Sequence, residues 1–202
     1  MSPRVILASS SPRRRELLTM IGIAHEVMPA GIDESQLPGE EPAPHAERLA
    51  REKGAVIAGR HPEALVISAD TIVVIDGLVL GKPESDEEAA SMLRRLSGRT
   101  HTVYTGVAVG IGDRVESGVE EVTVTFRDLD DEAIADYIAT REPMDKAGSY
   151  GIQGYGAVLV ERIDGDFFAV MGLALGLLVH LFGRIGVRYE FTGLRDAGAL
   201  QP

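Results

Sequence analysis

Apolar residues fall into two kinds of run along this chain, and the difference predicts its elements. Some runs are short and nearly unbroken, as in Val5-Ile6-Leu7-Ala8 and from Leu65 to Ile75. Runs of that length between turn residues read as buried strands. Others recur at helical spacing. Over 45–59, Ala46, Leu49, Ala50, Val56 and Ile57 share one arc at about 100° per residue, which predicts an amphipathic helix. The first strand runs into Ser9-Ser10-Ser11-Pro12-Arg13-Arg14-Arg15. Pro12 suits the first helical position, and Ser10 or Ser11 suits the N-cap.

The remaining punctuation is equally local. Pro38 to Pro44 reads as a loop by its breakers. Asp76-Gly77 turns the long strand back into Leu78-Val79-Leu80. Ser85 to Glu88 is a capping box that opens a helix to about Leu96. Strands are predicted over 102–111 and 115–127, a helix over 130–140, and an ordered, glycine-rich loop over 142–156. Asp164-Gly165 reads as a hairpin joining strands at 157–163 and 166–170. A last apolar helix covers about 172–183, and a mobile tail follows Phe191. Hairpins mixed with helical crossovers predict an α/β fold, a mixed twisted sheet flanked by helices.

Composition narrows the function. The 202 residues suffice for one domain with a sizeable core and two lobes, and a hydrophobic fraction of 45% with 25% charged is that of a soluble globular chain. Cysteine is absent, so disulfide and thiolate chemistry are excluded. No signal peptide is expected, because charges begin at Arg4 and return at Arg13, and the apolar run from Phe167 to Phe182 is broken by glycines and His180, too short for a membrane span. A cytoplasmic, membrane-free protein is expected. The net charge of −11 argues against a nucleic-acid partner. A small polyanion remains compatible with a local concentration of cations, and Ser9–Arg15 is one. Its three arginines oppose the helix dipole, yet they match a phosphate chain bound at a helix N-terminus.

Other residues sit where a bland core would not place them. Lys53 lies in the middle of the apolar arc of the 45–59 helix, so it either snorkels or directs its ammonium into a polar cleft. Asp70 interrupts the most apolar strand, where carboxylates are rare unless paired or metal-bound. Lys82 follows a strand within Gly81-Lys82-Pro83. Asp33 and Glu34 are adjacent oxygen donors of the kind a hard cation takes. Gln153, in the glycine-rich loop, both donates and accepts, as reading a base edge requires. The five histidines lack metal-ligand spacing. Neither a dinucleotide-binding glycine motif nor a P-loop is present, since only three residues separate Gly77 from Gly81 and Pro83 follows Lys82.

Together these segments resemble the Maf family of nucleoside triphosphate pyrophosphatases. The matching pieces are Leu7-Ala8-Ser9 with Ser11-Pro12-Arg13-Arg14, Asp33-Glu34, Ala50 with Lys53, Ala69-Asp70-Thr71, Gly81-Lys82-Pro83, Leu96-Ser97-Gly98-Arg99 with His101, Glu142-Pro143 through Gly154, and Val170-Met171-Gly172-Leu173. They run in order over residues 4–190. The resemblance implies a single domain over 1–191 with a tail over 192–202, an inosine-triphosphatase-like fold with a cleft between two lobes, and a homodimer. Asp145-Lys146-Ala147-Gly148 through Gly154 is similar to the branch acting on dTTP and UTP. Ala174 stands where relatives usually carry proline, which bears on stability rather than chemistry.

The implied reaction is hydrolysis of a nucleoside triphosphate to the monophosphate and pyrophosphate. By that resemblance Asp70 is the proton acceptor, and Arg13, Thr71 and Gln153 set base specificity. Arg13, Arg14, Lys53 and Lys82 would neutralise the triphosphate, together with the Ser9–Ser11 backbone, Ser9 being among the substrate-binding residues. Asp33, Glu34 and Asp70 would hold Mg²⁺ or Mn²⁺. Two other readings stay open: a house-cleaning pyrophosphatase for other non-standard triphosphates, and a nucleotide-binding regulator of cell division without turnover.

Overall fold

The computed structural model describes residues 3–196. Strand β1 (Val5–Leu7) is wholly buried and leads through the serine turn into helix α1 (Pro12–Met20), which has Ser11 at its N-cap and Pro12 in its first turn. Strand β2 (Glu26–Val27) follows, then helix α2 (Pro42–Ala58). This helix starts earlier than the sequence predicts. Pro42 and Pro44 occupy its first turn, where a missing N–H costs nothing, so breakers in the expected loop are helix starters here. Strand β3 (Leu65–Ile75) turns at Asp76 and Gly77, both at positive φ, into β4 (Leu78–Leu80). Helix α3 (Asp86–Leu96) is capped by Ser85, whose Oγ accepts from Glu88 N at 3.2 Å.

Strands β5 (Thr100–Ile111) and β6 (Arg114–Phe126) come next, then helix α4 (Asp131–Ala139). Three short 3-10 turns within 142–159 make up the expected ordered loop. Strand β7 (Val160–Asp164) pairs antiparallel with β6. The expected hairpin partner at 166–170 is absent. Phe167–Met171 instead forms a short helix, α5, whose start is held by Asp166 Oδ1 accepting from Phe168 N at 2.7 Å. Helix α6 (Leu175–Arg184) leads to β8 (Val187–Tyr189) and β9 (Leu194–Asp196). Strand β9 lies within the segment expected as a tail: Leu194 is buried and pairs opposite Tyr189. Residues 197–202 of that segment lie outside the described residues.

The sheet is mixed, as expected. Its order is β2-β1-β3-β5-β6-β7, with β4 on β3, and β8-β9 forms a separate ribbon. Strand β1 pairs parallel with both β2 and β3, whereas β3–β4 and β6–β7 are antiparallel. The chain divides into two units. Among the described residues the first comprises 3–70, 105–120 and 172–196, and the second 71–104 and 121–171. In the first, Ile6, Ala8, Ile57, Ala64 and Val66 pack together. In the second, α3 packs on α4. Among the described residues no helix is long and apolar enough to cross a membrane.

Candidate active site

In the first unit the serine turn places a cation inside the protein. Arg14 is buried, and its Nε donates to Gly172 O at 2.7 Å while Nη1 donates to Ser9 Oγ at 3.2 Å. Ser9 Oγ also accepts from Ser11 N at 3.1 Å, so one hydroxyl shapes the turn and orients the guanidinium. Burial pulls the Arg14 pKa down, and the charges of Asp70 and Glu34 oppose that. Arg13 is half-buried and close enough to act on Arg14 by like charge. The side chain of Ser11 makes no cap bond, and no acidic residue stands in the first turn of α1. The positive end of this helix therefore has no anion of its own in that turn.

Lys53 answers the question raised by its place on an apolar arc. The apolar positions of α2 are buried against the protein, and Lys53 is buried with them. Its Nζ lies 2.6 Å from Asp70 Oδ1 and 2.7 Å from Glu34 Oε1. Lys53 and Asp70 side chains are only 9% and 12% exposed, so this is a desolvated ion pair, and removing either partner strands a buried charge. Glu34, at 56% exposed, closes the group from the solvent side.

The structure does not bring Asp33 to that group. Its Oδ1 accepts from Ser35 Oγ at 2.6 Å and Ser35 N at 2.9 Å, an Asx turn that holds its pKa below the usual carboxylate value. Among the described residues no three His, Asp or Glu side chains form a metal-holding cluster. Glu34 and Asp70, two carboxylates meeting at one ammonium, are the donor pair that fits a hard cation.

Two residues that the sequence reading missed hold the loop carrying Glu34. Arg48, one turn before Lys53, donates through Nε and Nη2 to both carboxylate oxygens of Glu40, at 2.7 and 2.8 Å. Its Nη2 also reaches Ser35 O at 3.0 Å. The Arg48 bonds push Glu40 down to about 2. In the sequence, Arg48 looks like any solvated helix arginine.

The second unit carries Thr71, Lys82 and Gln153. Thr71 is half-buried, next to Asp70 in β3. Lys82 is exposed, and its neighbour Gly81 accepts from Gly148 N at 3.0 Å, tying this segment to the glycine-rich loop. Gln153 is exposed at the tip of that loop, and its side-chain amide makes no hydrogen bond to the described residues. The loop is anchored from below by Tyr150, whose hydroxyl lies 2.8 Å from His101 Nε2, and both rings pack edge-on against Phe126. Burial pushes the His101 imidazole down to about 4 and raises the Tyr150 phenol.

The chain is similar to known proteins over most of its length. The sequence matches the family described as Maf-like protein over residues 4–185. The dTTP/UTP pyrophosphatase of Moorella thermoacetica is 51% identical over 186 residues, 91% of this chain and 96% of that protein. Those of Bacillus velezensis and Syntrophomonas wolfei are 49% and 50% identical, over 93% and 89% of this chain and 100% and 96% of theirs. Among solved structures, the Ham1 protein of Staphylococcus aureus aligns with a TM-score of 0.45 at 17% identity, covering 78% of this chain and 79% of that one. A match from Arg4 to Ile185, with about half of the aligned positions shared with each of these three relatives, places the chain in the Maf-like protein family.

Proposed function

We propose that this chain is a nucleoside triphosphate pyrophosphatase that hydrolyses dTTP and UTP to the monophosphate and pyrophosphate. The observation that carries the chemistry is Asp70, a buried carboxylate in β3 paired to Lys53 at 2.6 Å in the unit that also buries Arg14. The substrate follows from family membership and from relatives named dTTP/UTP pyrophosphatase at 49–51% identity.

A triphosphate brings several negative charges to Lys53, Arg14, Arg13 and the N-terminus of α1. Lys53 then has a second anion to serve, which loosens its hold on Asp70. The freed carboxylate accepts a proton from water as the water oxygen bonds to the α-phosphorus, and the bond from that phosphorus to the bridging oxygen breaks to release pyrophosphate. Mg²⁺ or Mn²⁺ held by Glu34 and Asp70 would add charge neutralisation at the phosphates. Lys82 as a further phosphate ligand, and Arg13, Thr71 and Gln153 as readers of the base, rest on the family resemblance. The same reading places the enzyme in the cytoplasm as a homodimer acting on free nucleotides.

The test is pyrophosphate release from a panel of standard and modified triphosphates with Mg²⁺ or Mn²⁺, against an EDTA control. Metal-dependent preference for dTTP and UTP is expected. Asp70→Asn should fold and lose about 10²–10⁴-fold in turnover. Near-normal turnover by that variant would remove Asp70 as the base. Nucleotide binding without any turnover by the wild-type protein would replace the enzyme with a regulator.

A further inference from the structure

Residues Gly151 to Gly156 belong to no strand or α-helix, so their backbone N–H groups must find partners elsewhere. Two of them find one carboxylate. Tyr155 N donates to Glu142 Oε2 and Gly156 N to Glu142 Oε1, both at 2.9 Å. The Tyr137 hydroxyl donates to Glu142 Oε1 at 2.9 Å and itself accepts from Gly151 N at 3.1 Å. Gln153 is thus bracketed. The backbone two residues before it is tied through Tyr137, and the backbone two and three residues after it is tied to Glu142 directly.

The glycines show how closely this segment lies on the pair. A Cβ at Gly154 would run into Glu142 Oε2, and one at Gly156 into the Tyr137 hydroxyl and Gly151 O. Gly154 also has φ +69°, open to glycine and costly for other residues. Burial raises the Glu142 pKa, but the N–H groups of Gly156 and Tyr155, the Tyr137 hydroxyl and the Lys146 charge outweigh it and hold the carboxyl low. At neutral pH it is an anion accepting charge-assisted hydrogen bonds. The backbone around Gln153 is therefore immobilised while its side chain is exposed, which is how a binding loop is made specific.

We propose that Glu142, acting with Tyr137, is the positioning element that holds Gln153 in register with the base, and so determines which nucleoside triphosphates this enzyme accepts. The proposal rests on the base-reading role given to Gln153 above. Neither residue touches substrate in this assignment; both act through the backbone of the segment.

The experiment is a set of four variants: Gln153→Ala, Glu142→Gln, Tyr137→Phe, and Glu142→Gln combined with Gln153→Ala. Each is assayed for kcat/KM with dTTP, UTP, CTP and ATP, and for inhibition by inorganic tripolyphosphate, which has no base. Glu142→Gln and Tyr137→Phe should lower the preference for dTTP and UTP by roughly tenfold, chiefly through KM, since each leaves a backbone N–H poorly paired. Their tripolyphosphate inhibition constants should stay within about twofold of wild type, because no base contact is involved. In the Gln153→Ala background, Glu142→Gln should change the preference no further, the signature of two residues acting as one. Loss of preference in Gln153→Ala but not in folded Glu142→Gln or Tyr137→Phe would overturn the positioning role and leave the base-reading role standing. Unchanged preference in Gln153→Ala would overturn both. A tripolyphosphate constant that rises in step with KM would mean general loosening and would also overturn the proposal. Should Glu142→Gln fail to fold, Tyr137→Phe decides, since it removes a single hydroxyl.

Discussion

At the scale of single residues, burial and charge meet at a few named positions. Lys53, Asp70 and Arg14 are each held by named groups. His101 is different in kind. Its Nε2 meets Tyr150, while its Nδ1 is buried without a hydrogen bond among the described residues. An unfolded imidazole titrates near 6.5, and burial lowers the folded one to about 4. Between those values the unfolded chain binds more protons than the folded one. Stability is therefore full above pH 6.5 and falls as the pH drops toward 4, by about 3 kcal/mol in all. The urea midpoint of the wild-type protein should drop from pH 7 to pH 4.5 by more than that of His101→Gln, which lacks this titration. Equal drops would assign the acid sensitivity to other groups.

At the scale of elements, what the sequence made legible was whatever local chemistry decides. Strand β3 was legible because its apolar run ends in Asp76-Gly77, which reverses the chain at two positive φ angles. Helix α3 was legible because Ser85 and Glu88 are a complete start signal. The strand expected at 166–170 was not, because Phe167-Phe168-Ala169-Val170-Met171 is too short for periodicity to choose between helix and strand. The Asp166 carboxylate settles that choice by capping Phe168 N. Asp33 does not join Glu34 at Lys53, because adjacency in sequence does not aim two side chains alike, and a short aspartate folds onto its own backbone first. Placement that no motif signals was out of reach, as with Arg48 on Glu40, or the contact of β5 with α2 at Gly106. There a Cβ would meet the carbonyl carbon of Ala46 at 2.5 Å and Glu47 N at 2.8 Å, both backbone atoms of α2. Gly106→Ala should therefore push α2 off β5 and cost about 2–3 kcal/mol. Gly31→Ala, with nothing within 4 Å, should change stability by less than about 0.5 kcal/mol in urea unfolding. Similar effects at the two sites would show that α2 yields at no cost.

At the scale of the whole molecule, neither unit is a continuous piece of chain. The first takes residues from three separated segments, and the second from two, with one crossing falling between Asp70 and Thr71 inside β3. A fragment of residues 1–70 carries Arg14, Glu34, Lys53 and Asp70 but lacks 105–120 and the segment from Gly172, whose carbonyl holds Arg14. It should show no cooperative thermal transition by circular dichroism, whereas the full chain should. A sharp transition in the fragment would mean that the first segment contains a sufficient core by itself. The aromatic inventory has its own consequence. The chain has no tryptophan and five tyrosines. Tyr137 is buried and accepts from Gly151 N, Tyr150 is buried in the same loop with its hydroxyl on His101, and Tyr155 stands exposed two residues beyond Gln153. The ultraviolet spectrum of this protein is consequently weighted toward a single loop. Near-ultraviolet dichroism and tyrosine emission of the unlabelled chain therefore report mainly on that loop and the residues that support it.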